Sequence, residues 1–205
     1  MIGGHVVNNL RKPTMIIFVC GTSSVGKSSV CHNLKKSLPA YWLSFSMDGY
    51  LGMLGDKFLE LHPNNPEVTT PNEVCYAHQH EDGTYEIVPG KLCSKLFSTI
   101  PHVLQIMAQH GFSIIVDSLI TKKSELMTFK EELKDSNCVF IYLNASQQSI
   151  IQREEARGDR LKGSAIHWLR SFDFKSSCDL SINTDEISAE DIAKQILEEL
   201  RILKK

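Results

Sequence analysis

The residues best suited to chemistry lie in a glycine-rich segment that ends in a lysine and two serines. Its members are Gly21, Thr22, Ser23, Ser24, Val25, Gly26, Lys27, Ser28 and Ser29, here called the phosphate loop, and they fit the pattern G-x-x-x-x-G-K-[ST]. Such glycines let backbone N–H groups turn toward phosphate oxygens, and the following helix adds the positive end of its dipole. Lys27 can then reach the terminal phosphates, and the Ser28 hydroxyl suits Mg²⁺, which prefers oxygen ligands. The segment predicts binding of a nucleoside triphosphate with Mg²⁺.

Two carboxylates stand at the ends of strand-like runs. Asp117 closes the apolar run 112–116, and Asp48 follows the run 41–46. Ligands of open α/β sheets gather at the carboxyl ends of strands. Asp117 is therefore a candidate acid for the metal shell, and Asp48 is a candidate general base that accepts or orients the proton of an attacking hydroxyl. Aspartates in these places also cap turns and helices, and the spacing alone leaves both interpretations open.

Three arginines lie in one polar stretch, residues 152–160. Arg153 and Arg157 share a helix face through their i, i+4 spacing, and Arg160 follows just after the predicted end of that helix. A guanidinium can stack on an adenine or hold a phosphate, so these side chains are candidate lid cations over a bound nucleotide. The alternative is a solvated helix whose arginines pair with the neighbouring glutamates.

A histidine pair, His78-x-His80, lies in a segment with the pattern of a small hairpin. Alternating runs at 74–80 and 84–88 flank a turn that contains Gly83. Only Cys75 and Glu81, in the same predicted hairpin, accompany the pair with ligand spacing. The sequence therefore favours a surface hairpin over a metal site here.

These residues need a scaffold, which alternating strand and helix patterns predict. Five short runs are candidate strands, at residues 15–20, 41–46, 112–116, 138–143 and 179–182. Helical patterns fall between and after them, at residues 27–38, 49–61, 91–110, 125–133, 146–157 and 188–203. Most of the candidate strands are continuously apolar, as in strands covered on both faces. The alternation predicts a parallel sheet with right-handed crossovers.

Composition and charge limit the classes of protein to which this chain can belong. The 205 residues suit one α/β domain, and 42% hydrophobic residues with a formal net charge of -2 exclude a disordered or nucleic-acid-coating chain. No run approaches the roughly 18 apolar residues of a membrane span, and the amino-terminal residues lack a secretory pattern. Scattered cysteines without a C-x-x-C pair favour free thiols. We expect a cytoplasmic protein without a nucleic-acid or membrane partner, and the sequence leaves a homo-oligomer open.

Together the motifs resemble the chloramphenicol phosphotransferase-like family of P-loop kinases. Residues 21–28 are similar to the family's GGSSAGKS loop, and residues 42–48 look like its WLAFGVD strand. Residues 114–117 resemble its IIIDD strand, and residues 153–160 resemble its RETARGDR lid. The likeness extends over nearly the whole chain from Met15 onward.

The resemblance implies a three-layer P-loop kinase fold with helices on both faces of a parallel five-stranded sheet in the order 2-3-1-4-5, and a helical lid. A single kinase domain over residues 14–205 would follow a flexible arm at residues 1–13. Within that domain, a roof over the acceptor is expected at about residues 62–90 and the lid at about residues 147–170.

The resemblance also implies transfer of the γ-phosphate of ATP, with Mg²⁺, to a hydroxyl of a small molecule. Lys27, Asp48 and Arg157 would be catalytic, and Arg153, Arg157 and Arg160 would contact the nucleotide. The family's antibiotic, chloramphenicol, is one acceptor, but the roof segment matches the family poorly and leaves the acceptor open. Alternatives are a kinase for a nucleotide, a sugar-nucleotide or a protein hydroxyl, as in toxin-like kinases, or a non-catalytic nucleotide-binding module.

Overall fold

The computed structural model describes residues 14–54, 74–158, 161, 163–171 and 174–202. Its strands are β1 (Ile16–Cys20), β2 (Trp42–Ser46), β3 (Cys75–Gln79), β4 (Tyr85–Pro89), β5 (Ser113–Asp117), β6 (Cys138–Asn144) and β7 (Leu180–Asn183). Its α-helices are α1 (Lys27–Ser37), α2 (Met47–Leu51), α3 (Lys91–Phe97), α4 (Ile100–Gln109), α5 (Lys123–Glu132), α6 (Gln147–Arg157), α7 (Ser164–Ser171) and α8 (Ala189–Ile202). Short 3₁₀ turns lie at Gly52–Leu54 and Lys175–Ser177.

Five strands form a parallel sheet in the order β2-β5-β1-β6-β7. Numbered among themselves along the chain, they read 2-3-1-4-5, which is the predicted order. The labels differ only because β3 and β4 belong to a separate two-stranded sheet. The central strand β1 is buried along its whole length, as expected for an all-apolar strand with a neighbour on each side and helices on both faces.

Separate apolar clusters cover the two faces of this sheet. On one face Ile17 of β1 packs in the same cluster as Leu34 of α1. On the other face Phe18 stacks on Phe140, with ring centroids 4.5 Å apart, in a cluster that includes Leu104 of α4. Successive residues of β1 enter opposite clusters because strand side chains alternate between faces. The predicted arrangement of helix, sheet and helix layers is confirmed.

The prediction of one helix over residues 91–110 is wrong in one respect, because the structure has two helices there, α3 and α4. Pro101 occupies the first turn of α4. Proline lacks a backbone N–H and fits the start of a helix rather than its interior, which accounts for the break. Apolar residues keep a helical spacing across the break, so the sequence pattern alone predicts one continuous helix.

The predicted hairpin is confirmed as an antiparallel pair, in which Cys75 lies opposite Pro89 and Gln79 opposite Tyr85. The Asp82 carboxylate closes its turn by accepting hydrogen bonds from the Thr84 N–H at 3.0 Å and hydroxyl at 2.6 Å. The hairpin packs against α7 and α3.

The predicted arm and part of the predicted roof, residues 62–73, lie outside the described residues, as do the ends of the predicted helices 49–61 and 188–203. Across the ranges that the structure describes, every helix is too short or too polar to cross a bilayer.

Candidate active site

The phosphate loop connects the end of β1 to the start of α1. Gly21 (φ 142°) and Gly26 (φ 103°) adopt backbone conformations that favour glycine. A Cβ on Gly21 would lie 2.5 Å from the carbonyl oxygen of Leu143 on β6, so only glycine lets the loop pass this strand. The helix α1 has no side-chain N-cap and no acidic residue in its first turn. The loop therefore presents backbone N–H groups at a helix amino end, which is the environment that binds phosphate.

Lys27 lies within this loop, close to two carboxylates. Its Nζ donates a hydrogen bond to the carbonyl oxygen of Thr22 at 2.8 Å. Burial lowers the pKa of Lys27 from its ordinary value, and the negative charges of Asp117 and Asp48 act in the opposite direction. Lys27, Asp48 and Asp117 are thus electrostatic neighbours in the fold.

Asp117 meets the phosphate loop directly. The Ser28 hydroxyl donates a hydrogen bond to Asp117 Oδ2 at 2.5 Å. The turn after β5 is closed by the next residue, Ser118, whose hydroxyl oxygen accepts from the Ile120 N–H at 3.0 Å. Ser118 rather than Asp117 therefore closes this turn, and the Asp117 carboxylate contacts the phosphate loop.

Asp48 lies in the first turn of α2, immediately beyond β2. The helix is capped by Ser46, whose hydroxyl oxygen accepts from the Gly49 N–H at 3.1 Å. The capping alternative for Asp48 is therefore wrong. Because Ser46 lies opposite Asp117 in the pairing of β2 with β5, Asp48 follows at the same edge of the sheet. Its exposed side chain is accessible to a ligand from solvent.

Arg153 contacts the phosphate loop from the side of β7. Its Nη1 donates to the Thr184 hydroxyl oxygen at 2.9 Å and to the Val25 carbonyl oxygen at 3.3 Å, and its Nη2 donates to the Thr184 carbonyl oxygen at 2.9 Å. The buried Thr184 hydroxyl also donates to the Val25 carbonyl oxygen at 3.1 Å. Arg153 thus joins the end of β7 to the loop. Arg157 is exposed near the end of α6, and Arg160 lies outside the described residues.

Glu154 is a site residue that the sequence interpretation missed. Its carboxylate is 5% exposed and accepts hydrogen bonds from the N–H groups of Gly163 at 2.7 Å and Ala165 at 2.8 Å. It therefore holds the start of α7 rather than lying on a solvated face. Its burial could have been predicted from its position four residues after Ile150, on the same face of α6 as that apolar residue.

The helix α7 in turn contacts the phosphate loop. The Thr22 hydroxyl donates a hydrogen bond to the Ala165 carbonyl oxygen at 2.9 Å, and both residues are buried. Several elements therefore contact the loop: β6 lies beside Gly21, α6 and the residue after β7 both bond to Val25, α7 bonds to Thr22, and β5 bonds to Ser28.

A known protein family matches most of the chain. The family model described as chloramphenicol phosphotransferase-like protein matches residues 14–201. No curated protein sequence matches the chain.

Solved structures share the fold at low sequence identity. The tunicamycin resistance protein of Deinococcus radiodurans is 19% identical, with a TM-score of 0.61 over 91% of this chain and 95% of that one. Shikimate kinase from Acinetobacter baumannii is 18% identical, with a TM-score of 0.58 over 94% and 96% of the two chains. A gluconokinase from Sinorhizobium meliloti is 14% identical, with a TM-score of 0.57 over 94% and 98%.

Proposed function

Because the chain belongs to the chloramphenicol phosphotransferase-like family, we propose that this kinase-type phosphotransferase moves the γ-phosphate of ATP, with Mg²⁺, to a hydroxyl of a small molecule. One observation carries the proposal. Lys27, Asp48 and Asp117 follow or end three neighbouring strands, β1, β2 and β5, at the carboxyl edge of the sheet. A cation and two carboxylates beside a phosphate-binding loop are the groups that phosphoryl transfer needs.

The phosphate loop supplies the first requirement, which is to hold the triphosphate in one position. Its backbone N–H groups and the amino end of α1 attract phosphate oxygens without any side-chain movement. The Lys27 ammonium, which here donates to the Thr22 carbonyl oxygen, is within the same loop and can turn to a phosphate oxygen. Its charge would stabilise the transferring group most strongly where water is excluded.

The donor set at Ser28 and Asp117 fits Mg²⁺. A hydroxyl and a carboxylate are hard oxygen donors, and they already lie 2.5 Å apart. Ser28 would bind the ion directly once its hydroxyl turns a lone pair outward, and Asp117 would hold the ion's water shell. Held there, Mg²⁺ would supply positive charge to offset the negative charge of the phosphate oxygens.

Asp48 supplies a carboxylate for the acceptor. Asp48 lies in the first turn of α2, just beyond β2 at the carboxyl edge of the sheet, and its side chain is exposed. We assign it to accept, or at least to orient, the proton of the attacking hydroxyl. Arg157, exposed on α6, remains a candidate for neutralising phosphate charge from the lid side.

The names of the similar structures support a small acceptor. They include an antibiotic resistance protein, a shikimate kinase and a gluconokinase. Small hydroxylated compounds, including antibiotics, are therefore the acceptors to test first. A nucleotide, a sugar-nucleotide or a protein hydroxyl would use the same groups.

The experiment incubates the protein with Mg²⁺ and ATP, or GTP in a parallel arm, together with a pooled set of metabolites and antibiotics. Mass spectrometry then searches for a compound that gains one phosphoryl group while the nucleoside diphosphate accumulates. The Asp48→Asn variant is the matched control and should bind nucleotide without producing the shifted mass. Nucleotide binding without diphosphate formation in any pool would instead identify a non-catalytic binding module.

A further inference from the structure

Three residues outside the proposed active site converge between the hairpin and α7. His80 follows β3, Glu86 lies on β4, and His167 lies on α7. One potential ligand atom of each lies within 4.8 Å of those of the other two. Glu86 Oε2 is 3.6 Å from His80 Nε2 and 3.9 Å from His167 Nε2. Two imidazoles and one carboxylate therefore surround a single point.

We propose that His80, Glu86 and His167 bind a divalent late transition metal, with Zn²⁺ as the ion that best matches the ligands. Imidazole nitrogen and carboxylate oxygen are common zinc ligands, and two histidines with one glutamate form sites that leave a fourth position to water. The same set disfavours Mg²⁺, which prefers oxygen alone. The site is thus chemically distinct from the oxygen donors beside the phosphate loop.

The distances suit such an ion after a small adjustment. Bonds of about 2.0 to 2.2 Å to a tetrahedral centre separate ligand atoms by about 3.3 to 3.6 Å. The distances of 3.6 Å and 3.9 Å from Glu86 are close to that range. The rings of His80 and His167 are stacked, with centroids 4.3 Å apart and planes 9° from parallel. The ligand atoms of the two histidines lie within 4.8 Å of each other, so both rings would have to rotate about their side-chain torsions to point their lone pairs at one ion.

The burial of one nitrogen supports a ligand. His80 Nε2 is buried and has no hydrogen-bond partner among the residues that the structure describes. A buried polar nitrogen without a partner is unfavourable, and such groups call for an explanation such as an ion or a water molecule. A metal held jointly with Glu86 would satisfy this nitrogen.

The location indicates what the metal would do. The hairpin and α7 are already joined by the ion pair of Arg170 and Asp82, at 2.5 Å. The helix α7 also contacts the phosphate loop through Thr22. A metal at His80, Glu86 and His167 would fix the hairpin to the helix that contacts the loop, and would stabilise the folded state by binding it preferentially.

The test uses protein without a histidine tag, treated with a chelator and dialysed, in the absence of nucleotide. Co²⁺ is titrated while its visible absorption is recorded, Zn²⁺ is used to displace it, and bound metal per chain is measured by elemental mass spectrometry. We expect one ion per chain. His80→Ala and His167→Ala should each weaken binding at least about 100-fold, since loss of a mere supporting contact already costs 10- to 100-fold. His102→Ala, at an exposed position of α4, is the matched control and should bind normally.

Wild-type protein that binds no Zn²⁺, or His80→Ala and His167→Ala variants that bind it normally, would overturn the proposal. Circular dichroism and melting in chelator establish that each variant folds, and His167→Gln replaces His167→Ala if that variant does not. Zn²⁺ should raise the melting temperature of wild-type and His102→Ala protein and leave that of the site variants unchanged. Because no nucleotide or acceptor is present, this result is independent of the proposed phosphoryl transfer.

Discussion

Replacing Arg153 by methionine distinguishes a residue that positions the phosphate loop from one that contacts the nucleotide. Methionine keeps much of the aliphatic stem and removes every donor. The variant loses two hydrogen bonds of 2.9 Å to Thr184 and a longer one of 3.3 Å to the Val25 carbonyl oxygen. The Val25 carbonyl oxygen keeps the Thr184 hydroxyl as a donor. The loop should therefore be loosened while the fold is retained.

The expected loss of stability follows from these contacts. Hydrogen bonds from a charged donor contribute about 1.5 to 3 kcal/mol each, and partial exposure of Arg153 and the surviving bond to Val25 reduce the sum. We expect the free energy of unfolding to fall by about 2 kcal/mol, which lowers the melting temperature by about 4 to 8 °C for a chain of this length. At a temperature well below melting, the KM for ATP should rise about tenfold while the KM for the acceptor stays the same.

The assay combines thermal melting, ATP kinetics and a double-mutant cycle. Thr184→Val removes the hydroxyl that Arg153 contacts, and the double variant should lose less stability than the sum of the single ones, by at least about 0.5 kcal/mol. Arg157→Met, exposed on the same helix, should change stability by no more than about 1 kcal/mol, because contacts of exposed charges contribute little. Arg153→Lys, which restores charge without the planar fork, should fall between wild type and Arg153→Met. A raised KM for ATP with unchanged melting and additive effects would refute the positioning role.

Three further predictions test the same site. Asp48→Asn should lower kcat about 10²- to 10⁴-fold with an unchanged Kd for ATP, as expected for a lost general base, and a wild-type rate in the folded variant would remove Asp48 from that role. Gly21→Ala should destabilise the chain by more than about 1 kcal/mol in urea unfolding, since its Cβ would meet the Leu143 carbonyl oxygen and its φ is positive, whereas a neutral effect would mean that the loop can shift. Glu154→Ala should lower the free energy of unfolding by about 2 to 4 kcal/mol in the same assay, because N–H groups at the start of α7 lose their acceptor. Glu155→Ala, at an exposed neighbouring position, is the control, and equal effects of the two variants would contradict this account.

The sheet and the phosphate loop were predictable because their signals are local. The run that becomes β1 is apolar at every position, and the motif from Gly21 to Ser28 consists of consecutive residues. The edge of the sheet then brings Asp117 to the Ser28 hydroxyl, as the rule that ligands gather at the carboxyl ends of strands predicts. Their catalytic roles stay predictions until the kinetics are measured.

The parts that sequence did not predict depend on contacts between distant elements. The capping of α2 by Ser46 rather than Asp48 depends on where the helix begins, which spacing leaves uncertain by a residue or two. His80 and His167 meet only because the hairpin packs on α7. Ligand spacing along the chain could not reveal that pair, since two imidazoles far apart in sequence resemble unrelated surface histidines.

The helix α6 contacts both the phosphate loop and α7 through two adjacent residues. Arg153 reaches the Val25 carbonyl oxygen, and Glu154 accepts the N–H groups at the start of α7. Because consecutive residues on a helix point about 100° apart, each serves a different neighbour. A displacement of α6 when nucleotide binds would therefore move both the contact with the phosphate loop and the contact with α7. It follows that Arg153→Met and Glu154→Ala, although they break different contacts, should both alter ATP binding, with coupled rather than additive effects.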